Sequence, residues 1–385
     1  MRSIIIYIFI VLSIGLDLQA QENDYWFLFK DDKTNLLGFK DIQGNIKIKP
    51  KFTGLIGARL FKNIIPVSEK IYIDDFNNYE SINYYLLKDG RKVGIDSLYL
   101  SPDIALDCEN EGKIRFRDNK KTKKVGFFDY TSKIIIPCEY DEASRFYNGL
   151  AVVLKNGKRT CYDKAKSIED YDCEHWFWEG NWLLINGKNE VLIENLNLAD
   201  IVDIDWYSFK MSEDSISNGT YKSFPAKNGY ISFKDLKVDF ENWFKTVFLK
   251  NIDDKQCIKS IFLNEITIGK KTTWKSNEKF NGKFQEYAWF IDTKENFWLN
   301  NESLFENEVL NFLKEEFEFS IIKGDTPILF NEYNNFDYQN DCGWFDNERF
   351  PYFKVRFKRR NKEKSNFNYF GFIKTNAGYK LLEIN

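Results

Sequence analysis

The 385-residue chain has a single histidine, His175, and none of its six cysteines falls in a C-x-x-C pair. A zinc cluster needs three or four converging ligands, so this scarcity argues against one. His175 lies in DYDCEHWFWEGNW, residues 170–182, two positions after Cys173 and flanked by Asp172 and Glu174. Only Cys173 and His175 stand at short range there, too few to hold a metal. There is also no G-x-S-x-G elbow, no H-E-x-x-H and no glycine-rich phosphate loop ahead of a helix. With them go the commonest signals for a serine hydrolase, a zinc peptidase and a nucleotide-binding protein. The expectation is a protein without catalytic residues, metal or cofactor. Charge of one sign is lacking too: 55 Lys+Arg against 58 Asp+Glu leave a formal net charge of −3. Such a balance gives no general attraction to nucleic acid or to an acidic membrane surface.

Long apolar runs are missing except at the start, MRSIIIYIFIVLSIGLDLQA. Arg2, an apolar run from Ile4 to Leu12 and the small Ala20 are the parts of a secretory signal peptide, residues 1–20, cut before Gln21. The run is shorter than the roughly 18–20 residues that span a bilayer. The mature chain is therefore expected outside the cytoplasm, periplasmic or at the cell surface, with no membrane-spanning segment. All six cysteines, Cys108, Cys138, Cys161, Cys173, Cys257 and Cys342, reach that oxidising compartment. Their pairing stays open among the possible connectivities.

What the chain has in plenty is aromatic residues, 17% of the total, which favours β structure because rings pack well on a pleated surface. The first half also repeats itself. Lys124 to Lys158 reads KVGFFDYTSKIIIPCEYDEASRFYNGLAVVLKNGK. Gly126 permits close backbone approach, Ile134 to Ile136 read as a strand ended by Pro137, and Asn156-Gly157 reads as a type I′ hairpin turn. GFKDIQGNIKIKPKF from Gly38 repeats the opening, FKNIIPV from Phe61 matches FYNGLAV from Phe146, and LKDGRKVGID from Leu87 matches LKNGKRTCYD from Leu154. The units therefore start at Gly38, Gly94, Gly126 and Cys161, with an insertion near Ile71 to Tyr84 in the first.

These motifs resemble the WG-repeat family, whose units carry a Trp-Gly-(Phe, Tyr or Leu)-x-Asp start and a later Ile-x-Pro-x-Tyr-acid segment. Gly126-Phe127-Phe128-Asp129 and Ile136-Pro137-Cys138-Glu139-Tyr140-Asp141 carry the resemblance, while Leu37, Val93 and Val125 stand where the family has tryptophan. It implies an all-β repeat array over residues 21–207, propeller-like or an open stack of hairpins. It also implies a binding or scaffolding role in a bacterial cell envelope, toward an envelope protein or glycan.

The polar stretch SFKMSEDSISNGTYKSFPAKNG reads as a linker, 208–230. Beyond it the period changes to 3.6: Leu236, Phe240, Trp243, Phe244, Val247 and Phe248 share one helical face. A shorter helix is expected from Asp253 to Leu263. A third is expected from Ser303, whose spacing to Glu306 is that of a capping box, with Phe305, Val309, Phe312 and Phe317 inward. Strands are expected at PILFNEY from Pro327, YFKVRF from Tyr352, NYFGFIK from Asn368 and GYKLLEI from Gly378. This element order resembles the NTF2-like α+β cone, which implies a curved antiparallel sheet wrapping the helices over residues 231–385. The basic run Lys354 to Lys364 alternates with Val355 and Phe357, as in a strand with one solvated face.

The strongest site candidates are tryptophans. EYDEASRFYNG, 139–149, aligns without a gap on DYDCEHWFWEG, 170–180, which places His175 in the column of Ser144 and on repeat scaffold. In the same columns Arg145, Tyr147 and Ala151 become Trp176, Trp178 and Trp182. Trp176 and Trp178 would share one side of a strand, opposite an inward Phe177. They form either a surface for a sugar or partner chain, or a covered extension of the core. The competing functional reading is a secreted carboxylate hydrolase or effector whose site lies in the C-terminal part, with the repeats as its targeting module.

Overall fold

A computed structural model describes residues 24–53, 56–72, 79–100, 105–118, 122–168, 173, 175–275, 283–305, 313, 317–330, 336–359 and 369–384. The expected signal peptide lies outside them. The described strands pair almost wholly antiparallel. The chain divides into two compact units, 1–196 with 340–344 and 197–339 with 345–385.

In the first unit the strands form sheets of seven, three and four, and not blades of one size. Two hairpins in it share one construction. In the hairpin of Val125–Asp129 with Ile134–Tyr140, a Cβ on Gly126 would lie 2.6 Å from the Ile136 carbonyl oxygen. In the hairpin of Leu37–Lys40 with Ile46–Thr53, a Cβ on Gly38 would lie 2.6 Å from the Ile48 carbonyl oxygen. Only glycine lets the strands approach so closely. Both turns are tied by an aspartate, whose side chain accepts from the N–H four residues on: Asn45 to Asp41 at 2.8 Å, Lys133 to Asp129 at 2.9 Å. Buried Phe39 meets Phe61 edge-on at 5.3 Å, and buried Phe127 meets Phe146 at 4.9 Å. Aromatic pairs of this geometry add about 0.5–1.5 kcal/mol beyond area burial.

The other expected units depart from this pattern. Gly94 has φ +60° and opens a turn over residues 94–96, not a strand. The expected Asn156-Gly157 hairpin turn is a bulge inside the twelve-residue strand Leu150–Cys161, with Asn156 at φ +56°. The dipeptide's tolerance of left-handed backbone serves to offset a strand, not to reverse it. Gly157 donates its N–H to Asp141 Oδ2 at 2.7 Å, which gives the acidic end of the Ile136-Pro137-Cys138-Glu139-Tyr140-Asp141 segment its job. The described residues of the insertion near Ile71 lie in two long paired strands, Ile64–Tyr72 and Tyr79–Leu87.

Asn340–Trp344 belongs to the first unit through the Cys108–Cys342 disulfide, with Cα atoms 5.8 Å apart. The Cys342 carbonyl also accepts from Arg59 N–H at 2.7 Å, and the Arg59 guanidinium lies 3.6 Å from the Trp344 ring centroid. A second disulfide joins Cys161 to Cys173, and Cys138 and Cys257 are free thiols.

In the second unit the expected linker is a three-stranded sheet, Ile204–Ser212, Gly229–Asp235 and Tyr221–Ala226 in spatial order. Its sequence is polar because one face is solvated, while Trp206, Phe209 and Phe224 pack around Phe233 on the other. Helix α1, Leu236–Trp243, starts at an Asp235 N-cap and runs on as a π turn through Phe248. Helix α2 is Lys255–Ile261, capped by Asp254. Helix α3 is Lys294–Leu304, with Thr293 at its N-cap. Ser303 therefore lies in the last turn of α3 and does not start a helix; Val309 and Phe312 fall outside the described residues.

Phe317, expected on that helix, begins the strand Phe317–Gly324, and the expected strand at Pro327 is a short 3-10 turn, Ile328–Phe330. The strands near Tyr352, Asn368 and Gly378 are present as Tyr352–Arg359, Tyr369–Thr375 and Gly378–Ile384. They sit in a six-stranded sheet with Phe262–Lys275, Lys283–Thr293 and Phe317–Gly324. Val355 and Phe357 are buried between exposed Arg356 and Lys358, as the alternation requires. Phe240, Phe244 and Phe248 are fully buried, and Phe240 stacks on Phe353 at 4.4 Å and 3°. No described helix is long and apolar enough to cross a membrane.

Candidate functional site

The Leu150–Cys161 strand and the Trp176–Asn186 strand form one ribbon with two characters. Its inner half supplies Ala151, Val153, Leu183 and Ile185 to a core. Beyond the Asn156-Gly157 bulge, opposite Gly180, the ribbon is half-buried or exposed apart from buried Cys161. There Arg159 pairs in register with Trp178, and Cys161 with Trp176. Arg159, Trp176 and Trp178 thus share a face. The two indoles meet edge-on at 5.6 Å, and the Arg159 guanidinium lies 4.4 Å from the Trp176 centroid and 4.9 Å from that of Trp178. Each such cation–π contact contributes about 0.5–1 kcal/mol where exposed. The Cys161–Cys173 disulfide closes this end of the ribbon.

Several expectations change here. Over 145–149 and 176–180 the alignment does not carry structure. Residues 145–149 form a turn in which Tyr147 and Leu150 exchange backbone bonds at 2.8 and 3.1 Å, whereas Trp176 to Glu179 are strand. Phe177 does not enter a core; it is half-buried beside Tyr162, ring centroids 5.0 Å apart. Trp182 is half-buried on the same strand, opposite Leu154, and makes no ring contact with the pair among the described residues. His175 is exposed, and its carbonyl accepts from Tyr162 N–H at 3.1 Å. No group of three metal-ligating side chains occurs among the described residues.

Arg159 also lines a pocket of about 710 Å³ in the first unit, within the range of small-molecule sites. Leu98, Leu100 and Leu106 give it an apolar part. Arg117, Lys123, Asp96 and Asp118 supply charge, and Ser68 and Asn83 from the long hairpin supply neutral polar groups. Arg117 is committed elsewhere: Nη2 donates to Glu142 Oε2 at 2.9 Å and Nη1 to the Lys123 carbonyl at 2.8 Å. Arg159 has no carboxylate within ion-pair distance among the described residues. Asp118 Oδ2 accepts from Thr122 at 2.6 Å, but its Oδ1 is buried without a donor.

The pocket wall is braced from behind. Buried Asp107, next to Leu106, takes two bonds from Arg115, at 2.8 and 2.7 Å, and one from Arg145 Nε at 2.9 Å. Burial alone would raise its pKa; the two guanidiniums outweigh that and hold it at about 2. Cys138 is no nucleophile: burial, then the Asp118 charge, pushes its thiol up to about 11.

In the second unit two carboxylates do converge. Asp205 and Asp239 lie 2.5 and 3.6 Å from Lys374 Nζ, and Asp239 also accepts from Lys234 at 2.9 Å and the Tyr379 hydroxyl at 2.8 Å. Burial would raise the Asp239 pKa, but the bonds from Lys234 and Tyr379 prevail and lower it. Their charges are balanced by lysines, so this is a closed ionic network tying α1 to the two sheets.

Residues 126–158 match the family described as WG containing repeat. No curated protein and no solved structure matches the chain. The matched stretch contains Gly126, the Asp129 turn, Asp141 and the bulge, the positions that shape the hairpin and the offset strand.

Proposed function

We propose that the chain is an exported, non-catalytic binding module of a bacterial cell envelope, engaging a glycan or protein partner through Trp176 and Trp178. The observation that carries this reading is the Arg159–Trp176–Trp178 cluster, set outside the cores, whose Arg159 also lines a pocket. Two disulfides suit an oxidising compartment, in keeping with the apolar N-terminus. Residues 38–67 are read as a degenerate copy of the 126–158 repeat, supported by the paired glycines, aspartate turns and aromatic contacts. The second unit is read as NTF2-like, supported by the three helices among its described residues against a six-stranded sheet. Its aromatic filling, and the lysines on Asp205 and Asp239, weigh against the hydrolase alternative.

Co-sedimentation of the purified chain with an envelope fraction tests the reading. The wild type is expected to pellet and the Trp176→Ala/Trp178→Ala double variant to stay in solution with an unchanged melting temperature. Equal pelleting of both contradicts the site.

A further inference from the structure

We infer that the first unit's pocket takes an acidic sugar, its carboxylate paired with Arg159 and its hydroxyls donating to Asp118 and Asp96. This rests on the binding reading above and names its ligand class. A guanidinium laid on aromatic faces keeps its planar N–H edge for a further partner, and that edge matches a carboxylate bidentately. Arg159 is so placed over Trp176 and Trp178, with no described carboxylate paired to it, and it lines the pocket. The occupant is therefore an anion.

The same pocket holds two acceptors that an anion alone would leave unsatisfied. Asp118 lines the pocket, and its carboxylate has no ion pair among the described residues. Asp96 lines the pocket with no ion pair among the described residues. A ligand that fits both demands carries hydroxyl donors close to a carboxylate, as a uronic acid does. Its C–H faces suit Leu98 and Leu100, and the pocket's 710 Å³ admits a sugar of one or two residues. A peptide rich in carboxylates satisfies Arg159 but sets like charges against Asp96 and Asp118.

The test is calorimetric titration of the full chain with galacturonic acid, neutral galactose, and a Glu-rich peptide. The wild type is expected to bind the uronate in preference to both others, more weakly as salt rises. Arg159→Gln should weaken uronate binding roughly ten- to hundredfold, the range for a charge-assisted bond. Arg159→Lys should lie between, and Asp118→Asn should weaken it at an unchanged melting temperature. Equal affinity for uronate and neutral sugar, or tighter binding of the peptide, overturns the assignment. Absence of all binding overturns it too, while Trp-dependent co-sedimentation decides separately whether the binding reading survives.

Discussion

Asp107 is only 2% exposed and still ionised, because Arg115 and Arg145 enclose it. Removing one member of such a group strands the others, at a cost of about 3–5 kcal/mol. Asp107→Ala should lower stability by about that much in urea unfolding at pH 7. The pH dependence has a definite sign. The folded pKa of about 2 lies below the unfolded carboxylate value, so the contribution is complete above that value and is lost as pH falls toward 2. The gap between wild type and variant should be constant from pH 7 to 5 and narrow below about pH 4. Gly126 offers a separate check: a methyl there meets the Ile136 carbonyl oxygen at 2.6 Å, so Gly126→Ala should cost roughly 1–3 kcal/mol. At this scale the sequence was legible where a motif carries backbone geometry, as with Gly126 and Asp129. It was silent on Arg159, whose role depends on cross-strand register with Trp178 past a bulge. The alternation of Trp176 and Trp178 was readable; the cation laid over them was not.

Among the elements, the Leu150–Cys161 and Trp176–Asn186 ribbon shows how similar text takes different shapes. LKDG at residues 87–90 makes a tight turn, with Gly90 N–H donating to the Leu87 carbonyl at 2.9 Å, whereas LKNG at 154–157 stays within a strand. The difference lies in the pairing strand available to each. The next strand after LKDG is only Lys92–Val93, while the long partner Trp176–Asn186 pairs on both sides of the second dipeptide. Local turn chemistry cannot announce a partner strand that distant in sequence. The disulfide of Cys161 with Cys173 spans 12 residues, for which loop entropy allows about 3 kcal/mol. Cys161→Ser/Cys173→Ser should therefore lower stability by up to that amount and loosen the Trp176 end first. Hydrogen exchange should show faster amides at 158–161 and 176–179 than at 150–154; uniform protection would contradict the two characters of the ribbon. The same limit explains the 208–230 stretch, where polar residues on the solvated face masked three strands whose core is Phe233.

For the whole molecule, the division into two compact units does not track the order of the chain. Asn340–Trp344 returns to the first unit, and Cys108–Cys342 closes a separation of 234 residues. Cysteine spacing alone left this pairing open. Loop entropy allows this crosslink about 5 kcal/mol, more than the short one, so Cys108→Ser/Cys342→Ser should lower the unfolding midpoint more than Cys161→Ser/Cys173→Ser. The central claim, a binding site at Arg159, Trp176 and Trp178, is most directly tested by ¹⁹F NMR of the chain labelled with 5-fluorotryptophan. Its ten tryptophans give resonances assignable by single Trp→Phe variants. On addition of envelope-derived saccharide, the resonances of Trp176 and Trp178 should shift, while those of Trp243 and Trp298 in the second unit's core stay fixed. Shifts at Trp243 or Trp298 with Trp176 and Trp178 unmoved would contradict the account.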